Sequence, residues 1–314
     1  MTSLTMKQLR YFQALARFGH FGHAAGACSV SQPALSVQIK DLEETLGMAL
    51  FERGARQVRL TSFGEVFAER ARDILRAVDD LGDLARAARE GLVGPLRIGV
   101  IPTIAPYILP RIIAELTARH PGLDIRVRET LTPRLIQELE DGRLDAAIVA
   151  LPLSEPALTE VALFSEEFVL VRPAEDAGKP VPGPEKLREM RLLLLEEGHC
   201  FRDQALAFCA MHTTPRELLD GSSLSTLVQM VGAGIGVTLI PEMALPVETR
   251  SAAVSVARFR RPAPSRTIGM IWRKSSPLAR QLGEVAEIVR DSATVSRERD
   301  GAGGAAPAAG GADG

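Results

Sequence analysis

The sequence predicts an α/β protein in three parts: a small helical module with a wing, one long helix, and a larger two-lobed α/β domain. Three observations predict it. Apolar residues recur at helical spacing through the first sixty or so positions. A heptad stripe then runs without interruption for about three repeats. Beyond Gly94-Pro95, short apolar runs alternate with amphipathic stretches, the pattern of strand–helix units around a mainly parallel sheet.

Composition bounds the rest. The chain has 314 residues, 46% hydrophobic and 24% charged, an ordinary globular mixture. No apolar run approaches the length of a membrane span, and MTSLTMKQLRYFQALARFG reads as an amphipathic helix rather than a signal peptide. Three cysteines make no disulfide scaffold, so a cytoplasmic protein is expected. The net charge of -2 hides an asymmetry. Residues 1–61 carry seven basic and four acidic side chains, a net of +3, which leaves -5 for the remainder. The expected boundaries are 4–61 for the helical module, 62–91 for the long helix, 92–292 for the α/β domain and 293–314 for a disordered tail.

Taken in order, Leu9, Phe12, Leu15 and Ala16 share one face of a first helix closed by Gly19. A short second helix is expected over His23–Ala27. Ser31 is placed to cap a third helix, with Pro33 in its first turn and Leu35, Ile39, Leu42 and Leu46 on its apolar face up to Gly47. LFERGARQVRLT, residues 50–61, reads as a basic wing. From Ser62 to about Glu90, Phe67, Ala71, Ile74, Val78, Leu81, Ala85 and Ala88 form the heptad stripe. A helix of that length extends about 40 Å. Strands are expected at Leu96–Ile101, Asp124–Thr130, Asp145–Leu151, Phe168–Val171, Leu192–Leu195, Val237–Ile240 and Thr267–Trp272. Helices are expected near Pro106–Ala118, Arg134–Glu140, Arg202–Met211, Leu224–Val231 and Ser276–Arg290. About two hundred residues suffice for two lobes with a ligand cleft between them.

A helix, a tight turn and a capped third helix make a helix-turn-helix. With its apolar stripe facing inward, the third helix turns Gln32, Pro33, Ser36, Val37 and Lys40 outward. Ser36 and Lys40 can donate to base edges or phosphates, and Pro33 or Val37 can touch a thymine methyl. Asp41, Glu43 and Glu44 crowd the later half, so the N-terminal half is expected in the major groove. Arg53, Arg56 and Arg59 on the wing are expected at phosphates and minor-groove edges. The same residues also fit a three-helix bundle with solvated charges, and the heptad stripe also fits a helix facing its own core.

The run AAGACSVSQPALSVQIKDLEETLGMALFERGARQVRLTSFG closely resembles the N-terminal signature of LysR-type transcriptional regulators. The resemblance extends through the linker helix and the α/β domain. It implies a winged helix-turn-helix and a periplasmic-binding-protein-like regulatory domain, promoter DNA and RNA polymerase as partners, and a homotetramer. Gly22 and His23 stand where the family often carries basic residues, so no phosphate contact is assigned to that short helix.

Cys28 lies among Ala24, Ala25, Ala27 and Val30 and reads as a small core residue. Cys200, in Glu197-Gly198-His199-Cys200-Phe201-Arg202-Asp203, follows a strand and sits near a helix start beside His199 and Arg202, features that favour a thiolate. Cys209 lies on an apolar face, in Ala207-Phe208-Cys209-Ala210. Nine helical positions separate the two by roughly 13 Å along the axis, on opposite faces. A disulfide needs Cα atoms within about 7 Å, so bridging the pair requires unwinding. From spacing alone two unrelated cysteines are the better fit.

LLLLEEGHCFRDQALAFC, GPLRIGVIPTIAPYILPRII and SRTIGMIWRKSSPL resemble the hydrogen-peroxide-sensing members of the same family. That resemblance implies that Cys200 is peroxidatic and Cys209 resolving. It places Thr103, Thr132 and His199 in a peroxide pocket, with Arg202, Asp203 and Arg266 supporting the thiolate. It also implies a thiol reductant of the glutaredoxin or thioredoxin type, and neither a cofactor, a metal nor a membrane. Independently, Thr103 and Thr132 follow strands at the carboxyl edge of the sheet, where α/β domains place ligands. Either threonine also fits an ordinary helix N-cap. A regulator binding a small organic effector between the lobes is the alternative function, and a thiol peroxidase is a third.

Other signals do not develop. Gly232-Ala233-Gly234-Ile235-Gly236 runs from helix to strand, the reverse of a dinucleotide loop. His20 and His23 lack a third ligand. No paired-carboxylate or Ser-His-Asp arrangement is legible, so no enzyme is expected.

Overall fold

The computed structural model describes residues 4–52, 58–88, 91–209 and 220–302, with side chains as far as Ala293. The chain separates into two compact units, Met1–Ala85 and Arg86–Gly314.

The first unit is built on α1 (Met6–Phe18), α2 (Phe21–Ala27) and α3 (Gln32–Leu46). Thr5 and Gln8 form a capping box at the start of α1, and Gly19 ends it in the left-handed conformation. His20 caps α2 through Nδ1, which accepts from the amides of Gly22 and His23, so α2 starts two residues earlier than expected. Ser31 caps α3 and Gly47 closes it, as the sequence predicts. A two-stranded wing follows, β1 (Phe51–Glu52) antiparallel to β2 (Arg59–Leu60). Then comes α4 (Ser62–Ala87). Phe12 centres the core, with ring centroids 5.3 Å from Phe51 and 5.0 Å from Phe67. Gly64 lets α4 pass the wing, because a Cβ there would lie 2.1 Å from the carbonyl oxygen of Leu50.

The second unit runs β3 (Gly94–Val100), α5 (Ala105–Arg119), β4 (Leu123–Glu129), α6 (Thr132–Glu140), β5 (Ala146–Leu151) and β6 (Leu158–Pro173). It continues through α7 (Pro184–Glu189), β7 (Leu192–Leu195), α8 (Cys200–Phe208), β8 (Asp220–Gly221), α9 (Leu224–Gly232) and β9 (Val237–Pro241). The chain ends in α10 (Leu245–Glu248), β10 (Val254–Arg258), β11 (Ser265–Arg273) and α11 (Ala279–Ala302). The strands lie in the order β4-β3-β5-β11-β6-β9-β7-β8, with β10 paired to β6. Two hydrophobic cores make two lobes. The first includes Ile98, Ile148, Ile268 and Val285, and the second Leu170, Leu193, Val228 and Leu239.

The sheet is mixed rather than mainly parallel. β3 is parallel to β4 and β5, and β7 to β8 and β9, but β11 and β6 run antiparallel to their neighbours. β6 is also far longer than the expected Phe168–Val171. Its first half pairs with β11 in one lobe and its second half with β9 and β10 in the other. Thr159, Glu160, Ser165, Glu166 and Glu167 interrupt the apolar run there and conceal the crossover from a hydrophobicity pattern. The expected tail is corrected too. α11 continues through 293–302, because 294–300 contain neither Gly nor Pro and a helix docked on a core propagates cheaply. Residues 303–314 lie outside the described residues.

Candidate functional site

On α3, Leu35, Ile39 and Leu42 are buried, while Gln32, Pro33, Ser36, Val37 and Lys40 are exposed on the opposite face. Val37, an apolar side chain, is 55% exposed at the centre of that face. Lys40 pairs with Glu44 at 3.2 Å, both largely solvated, so the pair competes only weakly with a phosphate. Glu43 is not a free repulsive charge. Its Oε1 accepts from the amides of Leu50 and Phe51 at 2.7 and 3.1 Å and so fixes the first wing strand to the helix. Arg59 is exposed on β2, and the predicted partners Arg53 and Arg56 lie outside the described residues.

The heptad stripe divides. Phe67 and Ala71 pack on the helical module's core, so the core-facing reading holds for the first turns of α4. Ile74, Val78 and Leu81 are 44%, 36% and 65% exposed, an apolar row left uncovered by the described residues.

In the second unit, the parallel pairing of β3 and β4 sets Val100 opposite Glu129 and brings both carboxyl ends together. Thr103 and Thr132 follow these ends, and both are buried. Neither is a helix cap: Ile104 and Leu131 hold those positions, without side-chain cap bonds. Thr103 Oγ1 instead accepts from Arg266. Thr132 Oγ1 is buried with no hydrogen-bond partner among the described residues. Such an atom calls for a ligand or water.

From the second lobe, β7 leads through Gly198 into α8. Gly198 has φ +94°, and a Cβ there would stand 2.9 Å from Leu131 Cδ1, next to Thr132. This left-handed glycine brings the start of α8 against the threonine loops. His199 is the N-cap residue and Cys200 the first residue of α8. Cys200 is half-buried and packs on the first lobe's core. One turn on, Gln204 Oε1 is a second buried acceptor with no hydrogen-bond partner among the described residues.

Arg266 anchors the Thr103 loop. It donates to Thr103 Oγ1 at 2.8 Å, to the Thr103 carbonyl at 3.0 Å and to Glu166 Oε1 at 2.8 Å. The Arg266 and Glu166 side chains are 0% and 1% exposed. Cross-strand pairing of β11 with β6 sets these two residues opposite each other. Arg266 also stands 5.3 Å from the centre of the Phe201 ring, which ties it to α8.

The three cysteines are free. Cys209 is the C-cap residue of α8, fully buried within the second lobe's core. Burial pushes its thiol up, and nearby Arg188 pulls it partly back. α8 starts and ends two or more residues earlier than expected, yet the two cysteines still mark its opposite ends. Cys28 ends α2, half-buried against the first unit's core, with its thiol pushed up by burial.

Three predicted supports are placed differently. Arg202 is buried, but it donates to the Leu195 carbonyl at 2.5 Å and to Asp220 at 2.6 Å, so its charge is neutralised within the second lobe. Asp203 is exposed in the first turn of α8. Burial lowers the pKa of His199, against an opposing pull from Glu196, which disfavours a cation beside Cys200. Glu166, Phe201 and Gln204 were missed. The Cys200–Gln204 spacing of one turn was a usable signal, whereas Glu166 lies one hundred residues from Arg266 and needed the register. No group of three His, Cys, Asp or Glu able to hold a metal occurs among the described residues. None of the described helices is long and apolar enough to cross a membrane.

Residues 6–65 match the bacterial regulatory helix-turn-helix protein, lysR family, and residues 89–294 match the LysR substrate binding domain. The chain is 44% identical over 293 residues to a probable hydrogen peroxide-inducible genes activator of Streptomyces viridosporus, covering 92% of this chain and 94% of that protein. It is 40% identical over 290 residues to the DNA-binding transcriptional dual regulator OxyR of Escherichia coli K12, covering 91% and 95%. Among solved structures it is similar to a full-length OxyR variant from Pseudomonas aeruginosa, with TM-score 0.72 and 38% identity over 92% of this chain and 95% of that one. It is also similar to a Corynebacterium glutamicum OxyR mutant with H2O2 bound, with TM-score 0.64 and 35% identity over 92% of both chains.

Proposed function

The chain belongs to the LysR family of DNA-binding transcription regulators, and from that membership we propose that it senses hydrogen peroxide through a reversible Cys200–Cys209 disulfide. One observation carries the reading. Cys200 starts α8 where Gly198 packs the loop against Leu131, the residue before Thr132, whose buried hydroxyl has no hydrogen-bond partner among the described residues, while Cys209 is sealed in a core at the other end of the helix.

The chemistry follows from the contacts. A Cys200 thiolate attacks one peroxide oxygen, so the S–O bond forms as the O–O bond breaks. The departing hydroxide takes a proton and leaves as water. Thr103 Oγ1 accepts from Arg266, so its own hydrogen is left to donate to the departing oxygen. Thr132 Oγ1 and Gln204 Oε1 can accept from the two peroxide hydrogens. His199, the N-cap residue beside Cys200, orients the oxidant. Cys209 then attacks the Cys200 sulfenic acid, forming the S–S bond and releasing water. Because α8 cannot span the bridge as a helix, the disulfide remodels the second lobe.

The output side is promoter DNA. Gln32, Pro33, Ser36, Val37 and Lys40 read the major groove, with Arg53, Arg56 and Arg59 on the backbone and minor groove. The exposed row of Ile74, Val78 and Leu81 pairs copies of the chain, which assemble as a tetramer, contact RNA polymerase and are reset by a glutaredoxin- or thioredoxin-type reductant.

A second reading rests on a groove of about 990 Å³ whose lining includes Tyr107, Phe164, Met243 and Val247, wide enough for a small organic effector. Footprinting of the reduced, DNA-bound protein decides between them. One equivalent of H2O2 is expected to alter the footprint and dithiothreitol to restore it. A footprint indifferent to peroxide, or a monomeric mass at the same concentration, contradicts the proposal.

A further inference from the structure

We propose that Arg188 is a positioning residue for the second chemical step: it latches the Cys209 end of α8 and so slows disulfide formation. The proposal rests on Cys200 and Cys209 being the redox pair.

The last carbonyls of a helix have no partner within it. At the end of α8 the carbonyl of Cys209 is claimed from outside, by the Arg188 Nε at 2.5 Å. Arg188 is carried on α7, which is held in place by the fully buried Leu187. The bond is charge-assisted, and a cation at a helix C-terminus also complements the dipole. The Cys209 amide still donates to Ala205 at 3.1 Å, so the resolving cysteine is tied on both sides of its Cα. The other half of α8 is tied separately, by Arg202 to Leu195 and Asp220 and by the burial of Phe201.

The step to be controlled is attack of the Cys209 sulfur on the sulfenic acid that H2O2 leaves on Cys200. The S–S bond forms, the S–O bond breaks, and the Cys209 proton leaves with the hydroxyl as water. The two residues begin about 13 Å apart along the axis and must bring their Cα atoms within about 7 Å. With the first half of α8 held, the Cys209 end unwinds and its carbonyl leaves Arg188. The bond is therefore present before the step and absent in its transition state, so removing it accelerates the step. The pull of Arg188 on the Cys209 thiol belongs to the same starting arrangement and is left behind with it.

The test uses the full chain with Arg188→Ala and Arg188→Lys, mixed with H2O2 and quenched at intervals with dimedone or an alkylating agent. Peptide masses then give the rates of Cys200 sulfenic acid formation and of disulfide formation. Arg188→Ala is expected to raise the ratio of the second rate to the first by roughly fivefold to tenfold. Arg188→Lys, which keeps the charge but loses the planar donor, is expected to fall between Arg188→Ala and wild type. The alanine change is also expected to lower the unfolding midpoint of the reduced protein more than that of the oxidised one. An unchanged or smaller ratio in Arg188→Ala, or a lysine variant no nearer to wild type, overturns the latch. Wild-type protein that forms no sulfenic acid on Cys200 overturns instead the redox reading beneath it.

Discussion

Cys200→Ser is expected to leave DNA retention intact and to abolish the change that peroxide makes in the footprint. Serine nearly preserves the volume of a half-buried residue, so the start of α8 keeps its packing on the first lobe's core. A hydroxyl without an adjacent base is a far poorer nucleophile than a thiolate, and reaction with H2O2 falls by on the order of a thousandfold or more. Footprinting with and without peroxide reads the loss directly. A response retained in Cys200→Ser counts against Cys200 as the sensing group.

Glu166→Leu has the largest expected effect on stability. It leaves the Arg266 guanidinium, 0% exposed, with Thr103 as its remaining hydrogen-bond partner among the described residues. Breaking a buried ion pair from one side destabilises by about 3–5 kcal/mol, which lowers the melting temperature of a domain this size by roughly 10 °C. The double change Glu166→Leu/Arg266→Met removes both charges and is expected to recover most of that loss. Peroxide reactivity does not return with it, because Thr103 has lost the donor that leaves its hydroxyl hydrogen available. Circular-dichroism melts of the three proteins check the stability. A single-variant loss below about 1 kcal/mol would mean that the ion pair does not organise the pocket.

The helical module was legible because its signals are local. Apolar spacing and Gly19 located the body and end of α1, and Ser31, Pro33 and Gly47 bounded α3 almost to the residue. The outward face of α3 followed from 100° per residue. In the second unit, apolar runs located β5, β7 and β9, but β6 stayed hidden where it crosses between lobes, since a strand at a domain crossover carries polar residues on both sides. The candidate pocket was half legible. Cys200, Thr103 and Thr132 stand at strand ends, where position along the chain already signals a ligand. Glu166, Phe201 and the true engagement of Arg202 depend on register and on partners far along the chain. His199 beside Cys200 suggested a cation, and its burial works against that charge. The role of Glu43 was hidden in a similar way: it clamps the wing, which is visible only once the wing is folded against it.

The most direct measurement is peptide mapping of the reduced protein after one equivalent of H2O2. A Cys200–Cys209 disulfide is expected, with Cys28 still a free thiol, and the bridge is lost on adding dithiothreitol. Cys200 and Cys209 peptides that stay unlinked while peroxide still alters the footprint would contradict it.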